Sequence, residues 1–263
     1  MALLNQDIID CVVEHLKDDS IHLKTCAQVS HSFLIPSRRH LFFTVSLDQP
    51  SSSQRLYDVL TCEPELALLI RQLHVTNSNI KLFDQPVWFA IEKSLPGILR
   101  MVHHVQMMQF CDFLKSGEER VSWDGLSIEL QSVFVERLQS PSLVELGIEQ
   151  IINIPFSVVR HFTHLTRLSL SCDIFDMRSP QIFELMHLHV HALEVRFTME
   201  DPTATSALKF ISFLRLRHLF ISSSNRGTLQ AVEEVMHSVA TSVNSITWFY
   251  HGRGLAGKLI SLV

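Results

Sequence analysis

Two patterns in the C-terminal half have residue types that could carry chemistry. Gly252-Arg253-Gly254-Leu255-Ala256-Gly257 fits GxGxxG and follows the strand-like run Ile246–Tyr250. Such a loop cradles a dinucleotide pyrophosphate on backbone amides, but it needs a following helix, a second parallel strand and an acid about 20 residues on. The residues from Lys258 to Val263 supply none of these, so the run reads as a turn. His187, His189 and His191 alternate and could share one strand face as metal ligands, while His161 and His164 stand at helical spacing. A metal site also needs fixed geometry and a shell of groups that orients the ligands. The sequence has no HExxH, and no cysteine lies at zinc spacing from these histidines. A serine nucleophile would call for a GxSxG elbow, which is missing as well. The expectation is a chain with no catalytic residue, no metal and no cofactor.

The composition fits a folded scaffold. Hydrophobic residues make up 46% and charged residues 19% of the 263 positions, far from a disordered profile. The longest apolar runs, Leu66–Ile70 and Val87–Ile91, are much shorter than the roughly 20 residues of a membrane-spanning helix. Asp7 and Asp10 interrupt any apolar leader, so secretion is not expected. Five dispersed cysteines without a CxxC pair read as thiols of a reducing compartment, which points to the cytoplasm or nucleus. The net charge of −5 argues against a nucleic-acid-binding face, and Arg38-Arg39-His40 reads as a solvated helix end.

The first 45 residues predict three short helices. Ile8, Ile9, Val12, Val13 and Leu16 recur at helical spacing, with Asn5 or Asp7 able to cap the start. Asp18-Asp19-Ser20 breaks that helix and offers caps for a second, in which Leu23, Ala27, Phe33 and Leu34 supply apolar contacts beside Val29. Pro36 suits the first turn of a third, where its missing N–H is not needed. Three such helices make a poor independent core and should lean on the next domain or on a partner.

After them the polar stretch Asp48–Ser53 marks a boundary, and a loose repeat begins. Strand-like pieces are anchored at Leu73, Val105, Leu146, Leu168, Leu193, Leu219 and Ile246, with Phe43–Leu47 as an earlier rung. From Leu146 the anchors are spaced 22, 25, 26 and 27 residues apart, and the earlier spacings of 32 and 41 indicate insertions. This period matches leucine-rich repeats, each unit giving one strand and a returning helix or turn. Asp173 stands where the consensus Asn or Cys would close a turn. Ile128–Leu138 and Thr228–Val239 carry helical stripes between strands. One repeat cannot bury its apolar side alone, so neighbours must stack on a continuous parallel sheet.

The N-terminal residues also carry a resemblance. Leu4–Leu16 resembles the opening of an F-box, and Leu23–Phe42 resembles its second half, with the family's Val-Ser pair at Val29-Ser30 and its aromatic at Phe33. The usual Leu-Pro start is Leu4-Asn5 here, and the common Glu is Asp7. The phrases Cys62–Val75, Ser122–Ser127 and Leu138–Ser171 are similar to those of the F-box proteins with degenerate leucine-rich repeats that are expanded in fungi. The resemblance implies docking on a Skp-type adaptor of a cullin ubiquitin ligase through Leu4, Ile8, Ile9, Val12, Val13, Leu16, Val29 and Phe33. It also implies a target protein held by the repeats. The expected architecture is α/β: a three-helix F-box-like module at residues 1–45, then an irregular leucine-rich-repeat solenoid at residues 46–263. The expected role is that of a substrate receptor, with neither nucleic acid nor membrane as partner. The second reading, motivated by the missing proline, is a leucine-rich interaction protein whose F-box has degenerated and which has no ligase role.

Overall fold

The computed structural model describes residues 5–76, 87–111, 121–149, 151–171, 186–197, 211–213, 215–223, 243–250 and 258–262, and every structural statement concerns these. Three helices open the chain: α1 (Gln6–His15), α2 (Ser20–Val29) and α3 (His31–Leu41). They lead into β1 (Thr44–Leu47), α4 (Pro50–Cys62), a 3-10 turn (Pro64–Leu69) and β2 (Gln72–Thr76). Next come α5 (Trp88–Ile91), α6 (Ser94–Met101), β3 (Met107–Cys111), β4 (Val121–Ser122) and α7 (Ile128–Leu138). The remainder holds β5 (Glu145–Ile148), β6 (Ile151–Ile152), α8 (Phe156–Val159), β7 (Arg167–Ser171), β8 (Met186–Leu188), β9 (Ala192–Phe197), β10 (Ile211–Phe213), β11 (His218–Ser223), β12 (Ser245–Tyr250) and β13 (Lys258–Leu262).

Nine of these strands form one sheet in the order β1-β2-β3-β5-β7-β9-β11-β12-β13. The first eight are mutually parallel and are added in chain order, while β13 closes the edge antiparallel to β12. Parallel neighbours need a crossover long enough to return the chain to the same end, and the segments between strands provide it. The fold is thus mixed α/β around a parallel sheet.

The register explains the sequence pattern. Val45, Leu73, Met108, Leu146, Leu168, Leu193, Leu219 and Ile246 stand side by side across the eight strands. Two residues on, Leu47, Val75, Phe110, Ile148, Leu170, Val195 and Ile221 form a second row, all of it buried. Side chains alternate between faces along a strand, so both rows point into one core. The opposite face carries a mostly polar row: Ser46, His74, Gln109, Gly147, Ser169, Glu194, Phe220 and Thr247. Gly147 leaves room for its neighbour there, since a Cβ would stand 3.1 Å from Gln109 Cγ.

Every rung starts with the same device. The carbonyl of the residue before one strand accepts two backbone N–H groups from the entry to the next. Phe43 accepts from Arg71 and Gln72, and Arg71 accepts from Gln106 and Met107. Gln106 in turn accepts from Val144 and Glu145, and the chain of bonds continues through Val144, Thr166, His191 and Arg217. These bonds correct one strand. The piece anchored at Val105 in the sequence begins at Met107, so the residue beside Leu73 is Met108, and Val105 is buried just ahead of the strand. The spacings from Leu73 are then 35 and 38 residues, not 32 and 41.

Helices α4, α6 and α7 pack in succession and contribute Leu56, Leu60, Leu95, Leu99, Leu130 and Phe134 to the same core. Helix α7 occupies the expected span, and the Ser127 side chain caps it by accepting from Leu130 N–H. Gly97 lets α6 approach α4, because a Cβ there would lie 2.5 Å from the Tyr57 ring. The buried hydroxyls of Ser53 and Ser94 hydrogen-bond each other at 2.7 Å across that contact. A run of edge-on and tilted rings joins successive rungs: Phe89 to Phe110 at 5.7 Å, Phe110 to Phe134 at 5.2 Å, and Phe134 to Trp123 at 5.6 Å. Such pairs add to the area they bury. At the head of the run, Trp88 Nε1–H donates to the Thr76 carbonyl at 2.8 Å, so its one polar group is satisfied.

The earlier rung expected at Phe43–Leu47 is β1, which pairs with β2, and the polar stretch after it leads into α4 at Pro50. Two further expectations change. Phe33 and Leu34 belong to the third helix, because Ser30 is extended (φ −162°, ψ 165°) and separates α2 from α3. Pro36 consequently lies inside α3, well past its first turn. The stripe Thr228–Val239, Asp173 and the Gly252–Gly257 run lie outside the described residues.

Phe134 has ring neighbours on two rungs and no exposed surface. Phe134→Ala is expected to lower the unfolding free energy by about 3–5 kcal/mol, the usual cost of truncating a buried ring. Urea denaturation read by tryptophan fluorescence measures this. Ile128→Ser, at a residue 85% exposed, serves as a control expected to stay within about 0.5 kcal/mol of the parent.

Candidate docking surface of the helical module

Helix α1 starts at Asn5, whose side-chain oxygen accepts from Asp7 N–H at 3.2 Å. Asp19 starts α2 in the same way, its carboxylate accepting from the backbone N–H groups of Ile21 and His22, both at 3.1 Å. The backbone N–H bonds and the His22 side chain, 2.6 Å from its second oxygen, hold the Asp19 carboxyl below the ordinary aspartate range. Glu14, at the end of α1, is likewise held low, first by its hydrogen bond to Lys17 at 3.1 Å and that residue's charge. Its other oxygen lies 3.3 Å from His40 Nε2 on α3, which ties the ends of α1 and α3 together.

The interior of this module is small. Ile9, Val13 and Leu23 are buried against one another, and Leu16, Phe33 and Leu41 close over them. The expected apolar stripe of α1 therefore divides. Of the expected docking residues, Ile9 and Val13 fill the internal core, with Leu16 and Phe33 half-buried around them. Ile8 and Val12 point outward and are 52% and 44% exposed, and Val29 at the end of α2 is 66% exposed. Leu4 lies outside the described residues.

Two exposed residues escape the sequence reading: Ile21 at 74% and Ile35 at 57%. Their helical phase would have revealed them once the helix ends were known. Ile21 lies two residues, about 200°, from buried Leu23, and Ile35 lies one residue from buried Pro36 and two, about 200°, from buried Ser37. Exposed Ile8, Val12, Ile21, Val29 and Ile35 all fall within three short helices whose shared internal core is Ile9, Val13 and Leu23. These five side chains are the large apolar groups that the module leaves exposed to solvent.

Helix α3 makes the junction to the sheet by packing against the 3-10 turn, and Pro36 and Ser37 on it are buried. Arg38 Nη1 meets Glu63 Oε2 at 2.6 Å, and Phe42 packs on the main core. The outward residues of the module are thus left free by its attachment.

Of the alternating histidines, His187 lies on β8 and the other two follow that strand. His189 is exposed, and His191 is half-buried where its carbonyl serves the rung device. His161 and His164 lie beyond the end of α8 rather than on a helix, and the His161 ring bonds Gln139 Nε2 at 2.7 Å. Among the described residues no three His, Cys, Asp or Glu side chains come close enough to share a metal ion. None of the described helices is long and apolar enough to cross a membrane.

The pH response follows from the two carboxyls. A folded-state pKa held below its unfolded value gives stability that is present above the unfolded value and lost as pH falls through the folded one. The helical module is therefore expected to lose helix content as pH drops below the ordinary carboxylate range, under about 4. Asp19→Asn keeps an acceptor for the cap but removes the charge. It is expected to flatten the acid loss of protection at α2 amides in hydrogen exchange while leaving sheet amides unchanged.

No family model matches this chain, and no curated protein matches it significantly.

Proposed function

We propose that the chain is the substrate-receptor subunit of an SCF-type ubiquitin ligase, its N-terminal helices docking on a Skp-type adaptor attached to a cullin scaffold. The observation that carries this reading is the exposed set Ile8, Val12, Ile21, Val29 and Ile35 on a module with a minimal core, joined by its other face to a long sheet. The F-box resemblance of Leu4–Leu16 and Leu23–Phe42 names the partner. The eight in-order parallel strands, with a repeated entry bond and two inward apolar rows, support a leucine-rich-repeat solenoid. On this reading a target protein is held by the repeats, and the ligase acts by proximity and orientation rather than by bond chemistry in this chain.

The missing proline bears on the alternative, a leucine-rich interaction protein with a degenerate F-box. Asn5 has φ −62°, close to the value a proline ring fixes, and its side chain adds a cap that proline lacks. The helix start that the family builds with proline is thus supplied by other means, which favours the docking role.

Co-purification of the full chain with its host's Skp-type adaptor tests the proposal. The double substitution Ile8→Asp with Val12→Asp alters exposed positions only, so thermal unfolding should move little while adaptor capture falls at least tenfold, the equivalent of about 1.4 kcal/mol. Val13→Asp instead buries a charge in the internal core and is expected to melt the module. Unchanged capture by the double variant, or no capture by the parent beside a working F-box control, rejects the ligase role.

A further inference from the structure

Pro36 lies inside α3 and cannot donate to the carbonyl four residues back, which is that of Ser32. A helix carbonyl left without its intrahelical donor must find another partner or water. Here a second helix supplies it: Gln6 Nε2, on the first turn of α1, donates to the Ser32 carbonyl at 3.3 Å. The same amide nitrogen donates its other proton to Asp10 Oδ1 at 2.7 Å, one turn along α1, which fixes the direction of the side chain. At the far end of the pair, Glu14 and His40 stand 3.3 Å apart. Helix α1 is therefore pinned to α3 at both ends. One pin is the Glu14–His40 approach, and the other uses a carbonyl from which residue 36, a proline, withholds the usual N–H donor.

We propose that Gln6 is a positioning residue, and that Pro36 acts with it by leaving the Ser32 carbonyl open for α1. The pair sets the register of α1 along α3, which turns Ile9 and Val13 inward onto Leu23 and leaves Ile8 and Val12 outward. The use of that outward face rests on the adaptor reading above; the coupling of Gln6 to Pro36 does not.

A double-substitution cycle in the full chain tests the coupling, read by amide hydrogen exchange over Asp10–Leu16. Gln6→Met keeps the length and helix-forming character of the side chain but removes the donor. It should lower protection by about threefold to fivefold, in line with one lost hydrogen bond. In a Pro36→Ala background the residue-36 N–H returns to the Ser32 carbonyl, and Gln6→Met should then change protection by less than about half that factor. Equal effects in both backgrounds overturn the proposal. Should Pro36→Ala not fold, the Ser32 carbonyl carbon resonance decides in the parent background. It should move upfield in Gln6→Met, and an unmoved resonance overturns the proposal. Adaptor capture then separates the two claims. Coupling present with no capture by the parent chain upholds the positioning role and removes only the ligase reading.

Discussion

The whole sheet depends on one repeated constraint: a strand with one apolar face cannot bury that face alone. Leu73 and Val75 are sealed only because Val45 and Leu47 lie on one side and Met108 and Phe110 on the other. The doubly accepting carbonyl at each rung entry aligns the strands so that these rows stay in phase from Phe43 to Arg217. A slip of one residue would turn every inward side chain to the polar face. Register and burial thus enforce each other, and the variable segments between strands are free to differ in length without disturbing the rows.

The helical module lives by a different balance. Its core of Ile9, Val13 and Leu23 is too small to stand far from the sheet, and the packing of α3 on the 3-10 turn with the Arg38–Glu63 pair anchors it there. Anchoring through α3 leaves α1 and α2 as the free surface, and five large apolar side chains remain on the module in water.

Much of this was legible in the residues. The stripe Ile128–Leu138 became α7 with the expected bounds, and the anchors from Leu146 onward are true register partners. Hydrophobic period survives in a single sequence because burial selects it directly. The misplaced rung had a physical ambiguity: in His103–Cys111 both Val105 with Met107 and Met108 with Phe110 alternate acceptably. Long-range bonds to the Arg71 carbonyl choose the second. The interior position of Pro36 was hidden for a similar reason, since the partner of the carbonyl it frees lies 26 residues away at Gln6. The split between inward Ile9 and Val13 and outward Ile8 and Val12 needed the position of Leu23, which no local pattern supplies.

The docking role of the first three helices is tested most directly by hydrogen exchange of the full chain with and without a Skp-type adaptor. Docking through the exposed residues should slow exchange across Gln6–Val29 by tenfold or more at saturating adaptor, leaving the β2–β7 strands unchanged. Exchange that stays the same in α1 and α2 while the adaptor is bound, or protection that appears on the sheet instead, would contradict it.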